Sequence, residues 1–239
     1  MGQMGAVFKC GALSAINFKV SVMALDWDFM FHSIPMFLKG LELTLYISFF
    51  GILLSLLVGF LCAIILYFKT RFISPVVYIY GEIARNTPLL IQLFFLYYGL
   101  NEIGLSALEC AILALGFLGG GYMSQSFLLG FKSLASIQRE SALSLGFSPL
   151  KMMYYIILPQ SLSVSMPSIG ANVIFLLKET SVVGAIALTD IMFVAKDFIG
   201  IYYKTTESLL MLSLTYLIAL LPLSVLFVIL ERSFKKKVA

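Results

Sequence analysis

The chain has 239 residues, of which 61% are hydrophobic and 12% charged, with a mean hydropathy of +1.02 and a net charge of +4. A water-soluble domain carries roughly a quarter charged residues, so this composition excludes one and points to a lipid bilayer. At about 20 apolar residues per crossing, the length supplies six or seven spans at most, which makes one compact membrane domain. Cys10, Cys62 and Cys110 are too few and too scattered for a disulfide framework or a metal pair, and are read as apolar filler. No GxxxxGK[ST] phosphate loop occurs, so ATP is not bound by that route.

In chain order, residues 1–22 lack the continuous apolar core of a signal peptide, and Ala6 fails the myristoylation pattern. Met23 to Trp27 would make a natural start for an interfacial segment, which marks Met23 as a second candidate start. Residues 1–39 are read as an extracytoplasmic, interfacial segment that includes His32, the sole histidine. With no ligands at metal spacing around it, no metal site is expected. Span one is the apolar run 41–68, longer than a bilayer core and therefore tilted or protruding. Residues 76–100 form the second crossing, and with Glu82, Arg85 and Pro88 in its first half, only the part after Pro88 reads as deep. Glu82 and Arg85, three apart on one helix face, are expected to pair at the inner headgroup level. After a polar break at 101–104, span three (105–131) contains Gly116 and Gly120 one turn apart, a place for a neighbouring helix to come close. Span four is 159–177, interrupted by Lys178-Glu179-Thr180-Ser181 before an apolar run at 182–188. Span five is 209–230.

The transmembrane domain is thus 40–231, followed by a basic tail, 232–239, whose Lys235, Lys236 and Lys237 suit a cytoplasmic anchor on anionic lipid. Five spans put the termini on opposite sides. Ten of the basic residues fall on the side of the C-terminus, which places that end in the cytoplasm and the N-terminus outside.

The segment 132–159 reads as helix, turn, helix. Gly146 is expected to take the left-handed conformation that ends the first helix, Ser148 to cap the second, and Pro149 to occupy its first position. Pro159 is expected to mark the bend into span four. Ala142, Leu143 and Leu145 are apolar on a loop and call for a cover, such as a partner protein.

Glu140-Ser141-Ala142, three residues, Gly146, nine residues, then Ile156-Ile157-Leu158-Pro159 resembles the EAA pattern (EAA, three residues, G, nine residues, IxLP) of inner-membrane subunits of ATP-binding-cassette importers, with Ser141 the one substitution. Residues 80–93, Gly40-Leu41 with Thr44, Leu158-Pro159-Gln160 and Lys178-Glu179-Thr180-Ser181 are similar to the polar amino acid uptake permeases of that superfamily, over residues 36 to 230. The chain departs from them at Gln125 and Leu128, where an acidic residue and an arginine are usual, and at Ile137, where glycine is. The resemblance implies an all-α integral membrane protein of about five transmembrane helices with a cytoplasmic coupling helix-turn-helix, the type I importer fold. It also implies a homodimer or heterodimer of permeases, two ATPase subunits that bind ATP and Mg, and an extracytoplasmic amino-acid-binding protein. This chain itself would hold no cofactor and catalyse no reaction. Glu140, Ala142, Leu145, Gly146 and Pro159 would couple it to the ATPase, and Glu82 with Arg85 would take a gating role.

An amino acid brings an ammonium and a carboxylate, and helix interruptions expose the backbone groups that can receive them. The interruption at 178–181 nominates Thr180 and Ser181, with Asn172 two turns earlier. The break at Thr87-Pro88 nominates Gln92. The competing function is an ion-coupled transporter or channel needing no ATPase, which calls for ionisable groups deep in the spans. Spans one and five, and span three beyond Glu109, have none. A membrane enzyme or sensor would need converging His, Cys or paired carboxylates, and the sequence offers none. A DNA-binding helix-turn-helix is discarded, because Lys132, Arg139 and Lys151 against Glu140 leave little charge for phosphates and both ends are tethered to the bilayer. Loss of charge at Gln125 and Leu128 tilts the substrate towards a neutral polar amino acid such as glutamine or cystine.

Overall fold

The computed structural model describes residues 25–238, and the expectations for residues 1–22, the Met23 start and Cys10 lie outside them. Helix α1, Trp27–Phe68, runs for 42 residues, about 63 Å at the rise of an α-helix and twice a bilayer core. It starts well before residue 41 because Asp26 caps it, accepting from the Phe29 N–H at 3.0 Å. The early turns then bury Met30 and Phe37 against Ile191, Val194 and Phe198. The boundary expected at 39/40 therefore falls inside a helix.

Helix α2, Ile73–Asn86, follows a short turn. Thr87 is extended (φ −110°, ψ 128°) because the ring of Pro88 disfavours a helical residue before it. Helix α3, Leu89–Phe94, restarts beyond the proline and runs into a π turn, Phe95–Gly99. The polar break at 101–104 is a 3-10 turn, Asn101–Ile103, closed by Gly104 at φ +77°. Helix α4, Ala107–Lys132, opens on a capping box between Ser106 and Glu109.

Helices α1 and α4 lie side by side. Gly51 faces Leu115, Ser55 donates to the Leu115 carbonyl at 3.1 Å and faces Gly119, Gly59 faces Met123, and the Tyr67 ring meets Phe131 at 5.8 Å. Facing residues keep one register along the pair, so the helices are parallel. The chain between them must cross back, and α2 with α3 is that crossing. The expected close approach at Gly116 and Gly120 is towards Leu54 and Val58 of α1. Cys62 and Cys110 are buried free thiols.

Helix α5, Ser136–Ser144, and helix α6, Pro149–Met152, make the helix-turn-helix. A π turn, Met153–Ile157, joins α6 to helix α7, Leu158–Glu179, which tightens into a 3-10 turn over Thr180–Ile186. The stretch Pro149–Ile186 is one continuous 38-residue run. The α-helix gives way to 3-10 geometry at Thr180, within the interruption expected at 178–181, and a π turn stands directly before Pro159, where the bend is expected, yet the run stays helical through both. The widened π turn lies just before Pro159 and accommodates its ring and missing N–H. The run ends at Ala187, which is left-handed (φ 61°). Helix α8, Ile191–Tyr202, is capped by Asp190, and helix α9, Thr205–Val238, closes the chain.

Helix α7 lies antiparallel to α4, with Ser165 at Gly130, Ser168 at Ser126 and Leu176 at Gly119. It is also antiparallel to α9, since Ser163 near its start donates to the Phe234 carbonyl near the end of α9. Four helices are long and apolar enough to cross a membrane, and the broken α2–α3 pair makes the fifth crossing. One end of the bundle holds Lys69, Lys132 and the helix-turn-helix. The other holds Asp26, Ser106, Asp190 and Lys204.

Candidate functional site: a polar strip in the bundle and a helix-turn-helix at its end

Helix α2 crosses α4 at Gly121, where an added Cβ would lie 3.0 Å from that of Ala84. This close crossing sets Arg85 against α4. Its Nη2 donates to Glu82 Oε1 at 2.7 Å and its Nη1 to the Gly121 carbonyl at 3.3 Å. With the Gln125 amide oxygen turned towards it, Arg85 donates there too, at 3.0 and 3.3 Å. Tyr122 Oη lies 3.5 Å from the Arg85 carbonyl. On the other flank of α4, Asn172 of α7 donates to Ser126 Oγ at 2.8 Å and to the Tyr122 carbonyl at 3.4 Å, and Ser126 shares a 2.7 Å bond with Ser168. Arg85, Gln125, Tyr122, Ser126, Ser168 and Asn172 thus form a connected polar strip around the middle of α4.

The Glu82–Arg85 pair forms as the spacing predicts, and it lies inside the bundle rather than at its end. Gly121 lies eleven residues before the end of α4 at Lys132, about 17 Å along the axis. Because α2 starts directly after a short turn, Arg85 near its C-terminus is carried into the bundle. Its side chain is only 17% exposed, and it brings into the second crossing an ionic pair that the sequence reading kept at the surface.

Gln92 is buried beside the Pro88 break. Its Nε2 donates to the carbonyls of Ala84 at 2.9 Å and Thr87 at 3.0 Å, groups that the break leaves without helical partners. Its Oε1 is buried with no hydrogen-bond partner. Gln92, Thr87 and Tyr80 contribute the polar groups to an otherwise apolar cavity of about 670 Å³ between α1, α2, α3 and α4. Thr180 is buried and donates to the Leu177 carbonyl at 2.7 Å, while Ser181 is half-buried on the same 3-10 turn. The chain stays helical there, tightening from α to 3-10, and the strip joins Asn172 to α4 rather than to these two.

Sequence reading missed Tyr122, Ser126 and Ser168. The available signal was polar residues four apart in each of two spans: Tyr122 with Ser126, and Ser168 with Asn172. It also missed Asp190, which is fully buried and accepts from the N–H groups of Phe193 at 2.9 Å and Met192 at 3.2 Å. An aspartate directly before the apolar run from Ile191 was the clue.

At the bundle end, Gly146 takes φ +76°. The Phe147 N–H bonds the Ala142 carbonyl and the Gly146 N–H bonds that of Leu143, the Schellman pattern that satisfies the last carbonyls of α5. Ser148 caps α6 through the Lys151 N–H, with Pro149 at its first turn. Nothing lies within 4 Å of a Cβ built on Gly146. Of the three apolar residues that called for a cover, Ala142 is buried by the chain itself. Leu143 and Leu145 remain exposed, as does Leu150 on α6. Glu140 is exposed on α5.

Residues 51–239 match the model of the family described as binding-protein-dependent transport system inner membrane component. The probable amino-acid ABC transporter permease protein PatM of Vibrio harveyi is 31% identical, over 81% of this chain and 89% of its own length. The nopaline transport system permease protein NocM of Agrobacterium fabrum is 31% identical over 81% and 85%, and the glutamine transport system permease protein GlnP of Escherichia coli 27% over 89% and 99%. Among solved structures, one described as the crystal structure of an amino acid ABC transporter with histidines superposes with a TM-score of 0.78 at 29% identity, over 88% of this chain and 99% of that one. An inward-facing MetNI methionine ABC transporter superposes with a TM-score of 0.72 at 17% identity, a likeness of fold.

Proposed function

The chain belongs to the family of binding-protein-dependent transport system inner membrane components, multi-pass proteins of the inner membrane, and from that premise we propose that it is the permease subunit of an ATP-driven importer of a polar amino acid. The observation that carries this reading is the helix-turn-helix. Its exposed Leu143, Leu145 and Leu150 surround an open glycine turn between two helices, the second of which runs without a break into α7. A partner ATPase, binding ATP and Mg, grips this face. Because α6 and α7 form one rod, a rigid movement of the turn is passed to Asn172 and the polar strip, as alternating access requires. Glu140, Ala142, Gly146 and Pro159 act in this lever together with Leu145. Ala142 does so from within, by holding the turn against the bundle.

The cationic bundle end faces the cytoplasm, with the C-terminus there and the N-terminus outside. A second permease copy or a paralogue completes the path, and an extracytoplasmic amino-acid-binding protein delivers substrate to the end that holds Asp26 and Lys204. The strip supplies the contacts a zwitterion needs. Arg85 can exchange its Glu82 partner for a substrate carboxylate, which gives this pair its gating role. Asn172 and the orphan oxygen of Gln92 serve as neutral polar contacts, with Thr180 and Ser181 on the 3-10 turn beyond α7. The names of the amino-acid permeases among its relatives support the substrate class, and uncharged Gln125 beside Arg85 favours a neutral polar amino acid such as glutamine or cystine.

The test is co-purification of the assembly from native membranes. The ATPase is expected to co-elute with wild type, and to be lost from a variant with Leu145→Asp and Leu150→Asp that still inserts at the normal level. Equal recovery of ATPase with that variant would reject this face as the coupling surface. Uptake into vesicles holding the lone polypeptide would reject an ATP-driven importer altogether.

A further inference from the structure

A second site lies between the bundle and the helix-turn-helix. The last turns of α1 and α4 end together at Tyr67 and Lys132, and α5 starts three residues beyond α4. Between them is a cavity of about 200 Å³ whose wall combines Tyr67, Lys132, Ala135 and Arg139 with apolar Phe131 and Ile156. Two cations from different elements converge on it. Among the described residues, neither Lys132 nor Arg139 forms an ion pair with a carboxylate. Ala135 stands at the N-cap of α5 and offers no side-chain acceptor to its first turn, where the Gln138 N–H is taken by the Ala135 carbonyl.

The geometry points to a binding site for the phosphate of an anionic phospholipid, with the headgroup held by Lys132 and Arg139 and the acyl region lying along the apolar wall. The cavity sets a basic side, Lys132 and Arg139, against an apolar one, and it sits where α1 and α4 leave their apolar stretches, the level at which a lipid changes from chain to headgroup. A soluble anion would use only the basic side. The consequence is mechanical, because a lipid there bridges the fixed ends of α1 and α4 to α5, the first helix of the segment that moves.

The complete assembly, delipidated in detergent, is titrated with dioleoylphosphatidylglycerol or dioleoylphosphatidylcholine and read by native mass spectrometry. Wild type is expected to show a saturable phosphatidylglycerol adduct that phosphatidylcholine does not give. In Lys132→Gln with Arg139→Gln its apparent affinity falls roughly tenfold or more, while Lys132→Arg with Arg139→Lys keeps it and shows that the fold tolerates change there. Wild-type affinity in the glutamine variant overturns the site. Displacement of the lipid by glycerol 3-phosphate at matching concentration overturns the lipid assignment, since the basic side alone would then suffice.

Discussion

Gly146 is where a single residue type decides a local structure. Its φ of +76° costs an ordinary L-residue about 1–2 kcal/mol, whereas asparagine is tolerated at such turns. Free space around its Cβ position means that any penalty comes from backbone strain and not from a clash inside the chain. Gly146→Val is expected to cut ATP-driven uptake at least tenfold, on the order of the strain it introduces, at unchanged protein level. Gly146→Asn should keep most of the activity. Uptake assays on both variants that gave the same value would show that the hand of this turn is irrelevant. The Gly146 turn was legible because Gly, Ser and Pro stand in capping order. The depth of Arg85 was not, because it depends on where α2 crosses α4.

At the scale of elements, the parallel pair α1–α4 holds the bundle together through small residues in one register. A Cβ on Gly119 would come within 2.7 Å of Leu176 Cδ1 as well as striking Ser55, so a larger residue must part three helices at once. Gly119→Val is expected to destabilise the purified protein by about 1–3 kcal/mol or more. Gly200→Ala, on α8 with nothing within 4 Å of the added Cβ, should be neutral or stabilising by up to about 1 kcal/mol. Thermal unfolding in detergent compares the two, and equal melting temperatures would contradict the register. The sequence singled out Gly116 and Gly120 on spacing alone. Which glycine takes the tightest contact follows from rotation of α4 between two neighbours, which a one-helix pattern does not contain.

Across the whole molecule, two carboxylates at the end opposite the helix-turn-helix respond to pH in opposite senses. Asp26 is held below its ordinary range by the Phe29 N–H and by the Lys204 ammonium 3.0 Å away. It ties the start of α1 to the start of α9, and its contribution is present at neutral pH and fades as pH falls through its lowered pKa. Asp190 is pushed up to about 6 by burial, against the pull of the Phe193 and Met192 N–H groups and Lys196. Between its ordinary 3.8 and about 6 the folded protein binds the extra proton, so stability falls as pH rises through that window. The full cost of the buried charge above it is about 3 kcal/mol. Asp190→Asn is therefore expected to melt higher than wild type at about pH 7.5 and to lose most of that advantage by about pH 4. An offset that stays constant between the two pH values would show that the charge of Asp190 is not felt.

Composition and apolar runs by themselves determined a membrane protein with five crossings, because the bilayer rewards continuous apolar length whatever the partners are. Local chemistry at Gly146, Ser148 and Pro149 determined the helix-turn-helix, since caps and turns are satisfied within a few residues. Only the tertiary structure decided that the run from α6 through α7 stays helical past Pro159 and residues 178–181, with a π turn before the proline and a 3-10 turn from Thr180. It alone drew Arg85, Gln125, Tyr122, Ser126, Ser168 and Asn172 into one strip. Those residues come from three helices, and what unites them is the angle and depth at which the helices cross, a property set by packing between segments.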